Sequence, residues 1–177
     1  YTPEERERII RGYPAHEREA RAKGIPMLGS GRIYPIAEEK IVCDSIVIPK
    51  HWPRLGAMDF GFDHPFAAGE LVHDKDTDTV YLTRIYRARE EIPALHCAAL
   101  RQWGDWLPWA WPHDGLNREK TSGEPLADDY RKNGLKMMPD KASFEDGSTS
   151  VEAGILELLE RMQTGRFKVF RQLEEWL

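Results

Sequence analysis

LGAMDFGFDHPFAAGELVHDKDTDTVYLTRIYRA, residues 55–88, decides how this chain folds. LGAMDF is a short apolar run that ends in a charge, Asp59. The turn GFDHP follows. FAAGELVHD and TVYLTRIYRA are rich in β-formers, and DKDTD between them is a cluster of turn residues, so a hairpin is predicted. The three runs together predict an antiparallel meander.

Downstream, helix and strand patterns alternate. EIPALHCAALRQW (91–103) reads as helix, with Pro93 in its first turn. WLPWAW (106–111) reads as a buried strand running to His113 and Asp114. PLADDYRKNGL (125–135) is a helix stopped by Gly134, and LKMMPD (135–140) a short strand. From Thr149 to Thr164, Val151, Ile155, Leu158, Leu159 and Met162 fall at helical spacing, with Ser148 or Ser150 as cap and Gly165 as stop. RFKVF (166–170) is a last strand and RQLEEWL (171–177) begins a further helix. The order β-β-β-α-β-α-β-α-β predicts an α/β fold, a mixed sheet with helices on its faces. The ribonuclease-H-like fold has this element order.

Upstream, the text differs. Thr2-Pro3-Glu4-Glu5 opens a helix that closes at Gly12, and Pro14 opens a second that closes at Gly24. Both are highly charged and have few apolar anchors, so they are expected to pack on something else. Residues 25–50 carry Pro26, Gly29, Gly31, Pro35 and Pro49 around the strand-like RIYPI and IVCDSIVIP. They read as an arm lying across a neighbouring surface. The first residue is Tyr1 rather than Met, as expected for a piece of something longer.

The chain has 177 residues, 41% of them apolar, which is enough for one packed core. No apolar run reaches a membrane-spanning length, so no membrane partner is expected. Two cysteines, Cys43 and Cys97, make neither a disulfide framework nor a thiolate zinc site, and a reducing compartment is expected. The net charge of −5, from 25 Lys and Arg against 30 Asp and Glu, is not the basic surplus usual in nucleic-acid binders. A metal-dependent nuclease is still compatible, because it needs carboxylates at its centre. The chain lacks G-x-x-x-x-G-K-[ST] and G-x-S-x-G, which argues against P-loop nucleotide hydrolysis and a serine nucleophile.

Asp59 ends an apolar strand and opens a glycine turn, and Asp114 does the same after WLPWAW. Each alone reads best as a turn aspartate. If the two strands run parallel side by side, both carboxylates emerge at one sheet edge and can hold Mg²⁺ or Mn²⁺. Asp63 and His64, one turn beyond Asp59, are candidates for supporting or substrate contacts, as is His113. The loop 115–124 offers Arg118 and Lys120 for phosphates, or is simply solvated. A zinc site from His64, His113 and the carboxylates has no recognised spacing. Arg84, Arg87 and Arg89 are read as sharing one face. Asp74, Asp76 and Asp78 read as a hairpin turn rather than a calcium loop, and the Trp cluster at 103, 106, 109 and 111 as core.

HEREARAKGIPMLGSGRIYPI (16–36), GAMDFGFDHPFAA (56–68), WAWPHDG (109–115) and FEDGSTSVEAGILELLERMQTGRFKVF (144–170) together resemble the C-terminal part of the large terminase subunit of tailed bacteriophages. The resemblance covers nearly the whole chain. It implies a ribonuclease-H-like nuclease domain at 51–177 and a linker arm at 1–50 that follows an ATPase domain. It implies a metal-dependent endonuclease that cuts concatemeric double-stranded DNA by attack of metal-activated water, in a motor that also holds a small terminase subunit and a portal protein. The host cytoplasm is the implied compartment. Asp59 and Asp114 match the family's first and second acids, on a two-metal site. The family's third acid lies in a late Asp-rich segment, expected beyond Leu177; Glu145, Asp146 and Glu152 do not match it. Two alternatives stay open: another nuclease of this fold, transposase- or resolvase-like, and a non-catalytic docking module for portal or partner subunits.

Overall fold

The structure, a computed structural model, describes residues 34–118, 123–145 and 147–176. The helices expected between residues 3 and 23 lie outside that range, as does Lys120. A compact unit extends from Ala37 to the C-terminus.

That unit is built on a seven-stranded sheet of order β1-β7-β4-β3-β2-β5-β6. Its strands are β1 (Val42–Cys43), β2 (Arg54–Asp59), β3 (Phe66–Asp74), β4 (Thr79–Ala88), β5 (Pro108–Ala110), β6 (Lys136–Met137) and β7 (Phe167–Phe170). The β2–β3–β4 meander is antiparallel, as the β-rich runs and the turn cluster between them predicted. Every other pairing is parallel: β1 with β7, β7 with β4, β2 with β5, and β5 with β6. The mixed sheet is therefore the expected one.

Among the described residues four helices accompany it: α1 (Glu38–Ile41), α2 (Pro93–Leu100), α3 (Leu126–Lys132) and α4 (Val151–Gln163). Pro93 sits in the first turn of α2, where its missing N–H costs nothing. The Ser150 hydroxyl accepts from the Ala153 N–H at 3.3 Å and caps α4. The final segment Arg171–Trp176 winds as a 3-10 helix rather than an α-helix.

On one face of the sheet Phe66, Ala68, Met58, Trp109 and Trp111 pack against Leu100, Tyr130 and Leu135. The Phe66 ring is fully buried and stacks on His96 at 4.1 Å and on Tyr130 at 5.8 Å. Burial lowers the pKa of His96 and keeps it neutral in this stack. Truncating such a ring costs about 3–5 kcal/mol.

Glu70 breaks the apolar pattern. It is 1% exposed in the middle of β3, on the same face as Phe66. A bulge at Glu70/Leu71 brings Thr83 and Arg84 onto it. The Thr83 hydroxyl donates to Oε2 at 2.9 Å, Arg84 Nε lies 3.2 Å from Oε2, and Arg54 Nη1 lies 3.6 Å from Oε1. Arg84 also donates to the Trp103 carbonyl, and Arg54 covers the Trp106 ring. The buried charge therefore ties the turn before β5 to the meander. Removing one partner of such a pair costs about 3–5 kcal/mol.

Several expectations change here. Arg84 pairs opposite Glu70 and Arg87 opposite Ala67, and those two β3 residues alternate faces. The arginines therefore do not share one face. Val42 and Cys43 lie within the stretch read as arm, yet they pair with Val169 and Phe170 and extend the sheet. Val151 is 75% exposed rather than anchored, and of the α4 residues only Met162 is buried. Trp103, Trp109 and Trp111 join the core, whereas Trp106 is half-exposed.

The β3–β4 hairpin tip holds α4 in place. Asp78 takes a positive φ of 50° and receives His73 Nε2 at 2.9 Å, Arg166 Nη1 at 2.6 Å and Arg161 Nη1 at 3.4 Å. Arg166 reaches on to Glu160 at 2.6 Å. The His73 hydrogen bond first, then the arginines, lower the Asp78 pKa from 3.8 to about 2. A carboxylate with a depressed folded-state pKa stabilises the fold fully above its unfolded value. That contribution fades as pH falls through the folded value. Asp78→Asn should lower the melting temperature at pH 7 and reduce its fall between about pH 4 and pH 2, read by circular dichroism melts across that range.

Candidate metal centre

The site is set by β2 and β5. They pair in parallel, with Gly56 opposite Trp109 and Ala57 opposite Ala110. A Cβ at Gly56 would lie 2.4 Å from the Trp109 ring, so only glycine lets the two strands come this close. Both strands then deliver their C-terminal ends to the same edge. Asp59 is the last residue of β2, and Asp114 lies in the 3-10 turn His113–Leu116 that follows β5.

The turn after Asp114 is equally constrained. Gly115 is buried, and a Cβ there would lie 2.4 Å from the Trp111 ring and 3.0 Å from the Phe60 ring. Trp111 is anchored by its own indole N–H, which donates to the Met138 carbonyl at 2.8 Å. The Gly115 N–H donates to the Pro112 carbonyl, and the Asn117 N–H to the Asp114 carbonyl. Asp114 is thus held on a rigid turn with its side chain exposed.

The two carboxylates feel each other. Surrounding protein atoms raise the Asp59 pKa by desolvation, and the charge of Asp114 raises it further. Asp59 nevertheless keeps contact with solvent. Two oxygen donors that repel each other at an open sheet edge are the donor set a hard divalent cation prefers, since the ion relieves the repulsion. These residues therefore fit a Mg²⁺- or Mn²⁺-type ion. Among the described residues, no three His, Cys, Asp or Glu side chains converge into a metal-holding group.

The remaining candidates are placed as follows. Asp63 and His64 are exposed in the turn after Asp59, and the Asp63 carbonyl accepts from Arg89 Nε at 2.9 Å. Arg118 is exposed, and its Nη1 donates to the Gly123 carbonyl at 2.7 Å, bracing its own loop. His113 sits beside Asp114 in one cleft. His64 does not join it in a zinc-type cluster.

Asp114 lines two clefts. One, of about 360 Å³, runs between Pro112–Asp114, Ala142–Phe144 and Thr149–Val151. The other, of about 260 Å³, includes Phe60–Phe62, Glu91, Asn117 and Tyr130. Phe62, Glu91, Asn117 and Phe144 were not singled out from the sequence, because nothing in their local spacing marks them. Glu70 was also missed, but it carried a signal: a glutamate at an inward position of an alternating strand.

The sequence profile of the terminase RNaseH-like domain matches residues 56–177. The chain is 48% identical over 174 residues to the large terminase subunits of Salmonella phage P22 and Enterobacteria phage LP7, covering 98% of its own length. It spans 35% and 37% of those two proteins. Its structure is similar to that of the P22 large terminase nuclease domain, with a TM-score of 0.75 and 44% identity. That match covers 84% of this chain and 76% of the other. The fold is thus the ribonuclease-H-like one that the element order suggested. The chain belongs to the terminase RNaseH-like domain family.

The electrostatic coupling is measurable. Asp114→Asn removes the like charge that raises the Asp59 pKa, so the Asp59 midpoint should fall toward its ordinary value while the desolvation part persists. A carboxyl-detected NMR titration of both proteins reads that shift.

Proposed function

We propose that this chain is the metal-dependent endonuclease domain of a viral DNA-packaging terminase, and that it hydrolyses phosphodiesters of concatemeric double-stranded DNA. The observation that carries the reading is the pair Asp59 and Asp114, brought to one sheet edge by parallel pairing and coupled through their charges. The 44% identity to a terminase nuclease domain supports the same reaction class.

In this reading Asp59 and Asp114 hold Mg²⁺ or Mn²⁺ through carboxylate oxygens. When bound, such an ion offsets charge on the phosphate and acidifies water, contributions of several kcal/mol to the barrier. The chain's own part is positional. The 3-10 turn at Gly115 fixes Asp114, β2 fixes Asp59, and their mutual repulsion keeps the pair poised for a cation. A third oxygen ligand would come from outside the described residues. His113, beside Asp114 in one cleft, and exposed Arg118 would be the groups to meet phosphates.

The wider assignment follows the same reading. The unit from Ala37 onward carries the nuclease, and the residues before it lead in from an ATPase domain. The full motor works on double-stranded DNA with a small terminase subunit and a portal protein in the host cytoplasm.

Supercoiled plasmid incubated with Mn²⁺ or Mg²⁺ and the chain extended past Leu177 should be nicked, faster than with the 177-residue chain, and chelation should stop it. Asp59→Asn and Asp114→Asn should each lower the rate by more than about a hundredfold. Nicking that survives chelation or either substitution removes the site assignment.

A further inference from the structure

The Asp114 turn divides two recesses, and each presents an aromatic ring on a fixed backbone. Phe144 is held in a turn by its N–H donating to the Ser148 carbonyl and its carbonyl accepting from the Gly147 N–H, both at 2.9 Å. Its ring lies over Gly154 of α4. Phe62, 56% exposed, is held by the Glu90 N–H on its carbonyl at 3.1 Å, and the adjoining Asp63 carbonyl is held by Arg89. Neither ring belongs to the main core. Hydroxyls and an amide stand beside them: Thr149 and Ser150 in the first recess, Asn117 in the second.

We propose that the two recesses are paired subsites for the nucleotides on either side of the phosphate that is cut, with Phe144 and Phe62 as their contact faces. The proposal rests on the nuclease reading and specifies the form of its substrate. A strand whose phosphate lies at Asp114 must leave in two directions, and among the described residues these two recesses share the Asp114 wall. An aromatic face stacks any base without sequence preference. Hydroxyl and amide groups suit phosphate and sugar oxygens.

Two consequences separate this from a generic surface. Asp114 and Glu91 line the second recess, and Asp59 couples to Asp114, so a polyanionic strand is repelled until a divalent cation is bound. A base reaches a ring in a recess only after leaving the duplex stack. The site therefore takes a locally opened strand in preference to intact duplex, and only with metal.

The test is fluorescence anisotropy with the 177-residue chain. The probes are a short phosphorothioate single strand and the duplex of the same sequence, each in Mn²⁺ and in chelator. The expected result is Mn²⁺-dependent binding, tighter for the single strand. Phe62→Ala and Phe144→Ala should each weaken binding about tenfold, and Phe62→Tyr and Phe144→Tyr should restore it. Circular dichroism checks that each variant is folded. Binding unchanged in both alanine variants overturns the proposal. So does equal loss in the alanine and tyrosine variants, equal affinity for duplex, or no Mn²⁺-dependent binding by the unaltered chain. Calorimetric Mn²⁺ titration of Asp59→Asn and Asp114→Asn judges the nuclease reading separately. If Mn²⁺ binding depends on the aspartates but the phenylalanines do not matter, only the subsites fail.

Discussion

The close approach of β2 and β5 at Gly56 governs the rest of the molecule. Trp109 lies where a side chain on Gly56 would have to go, so the contact needs both the absence of a Cβ and the flat indole. Parallel neighbours end on the same side, and that alone brings two remote turn aspartates to one sheet edge. The meander supplies β2, the crossover through α2 supplies β5, and the buried Glu70 cluster fastens the turn between them. Architecture and chemistry thus share one constraint. A shift of register between β2 and β5 would carry Asp59 away from Asp114 and turn the apolar residues of β2 out of the core.

Much of this was legible in the residues. The meander could be read from its β-rich runs and the DKDTD cluster, and α4 from its cap, its spacing and Gly165. The shared signature of Asp59 and Asp114, an apolar strand ending in a charge before a glycine turn, pointed to one edge once parallel pairing was supposed. What local patterns do not encode is which strands become neighbours. The incorporation of Val42 and Cys43 depends on β7, which is remote in sequence. Val151 fits a helical stripe by spacing, yet the helix meets the sheet mainly near its C-terminal end, so the start of the stripe faces solvent. The arginine triplet misled because residues 84 and 87 are an odd number apart and a bulge lies beside them. The cleft walls drew no attention because Phe62, Glu91, Asn117 and Phe144 come from four separate segments.

The chain's net charge of −5 also takes on a local meaning. Asp59, Asp114 and Glu91 concentrate negative potential at the mouth, whereas Asp78, Asp44 and Asp128 are matched with arginines elsewhere. An unscreened acidic mouth repels a polyanion, and a bound cation offsets that repulsion. Overall charge therefore says little about the partner, and its placement says much more.

The edge strand β1 has a further implication. Among the described residues it pairs with β7 alone, and Asp44 just beyond it reaches Arg171 across 127 residues of chain. During synthesis at about 5–20 residues per second, Val42 would wait about 6–25 s for its partner Val169 to be made. Until then the β4 edge stays unpaired and open to other strands. The nascent protein thus passes through a window in which its sheet is incomplete, and a ribosome-bound chaperone would matter most in that interval.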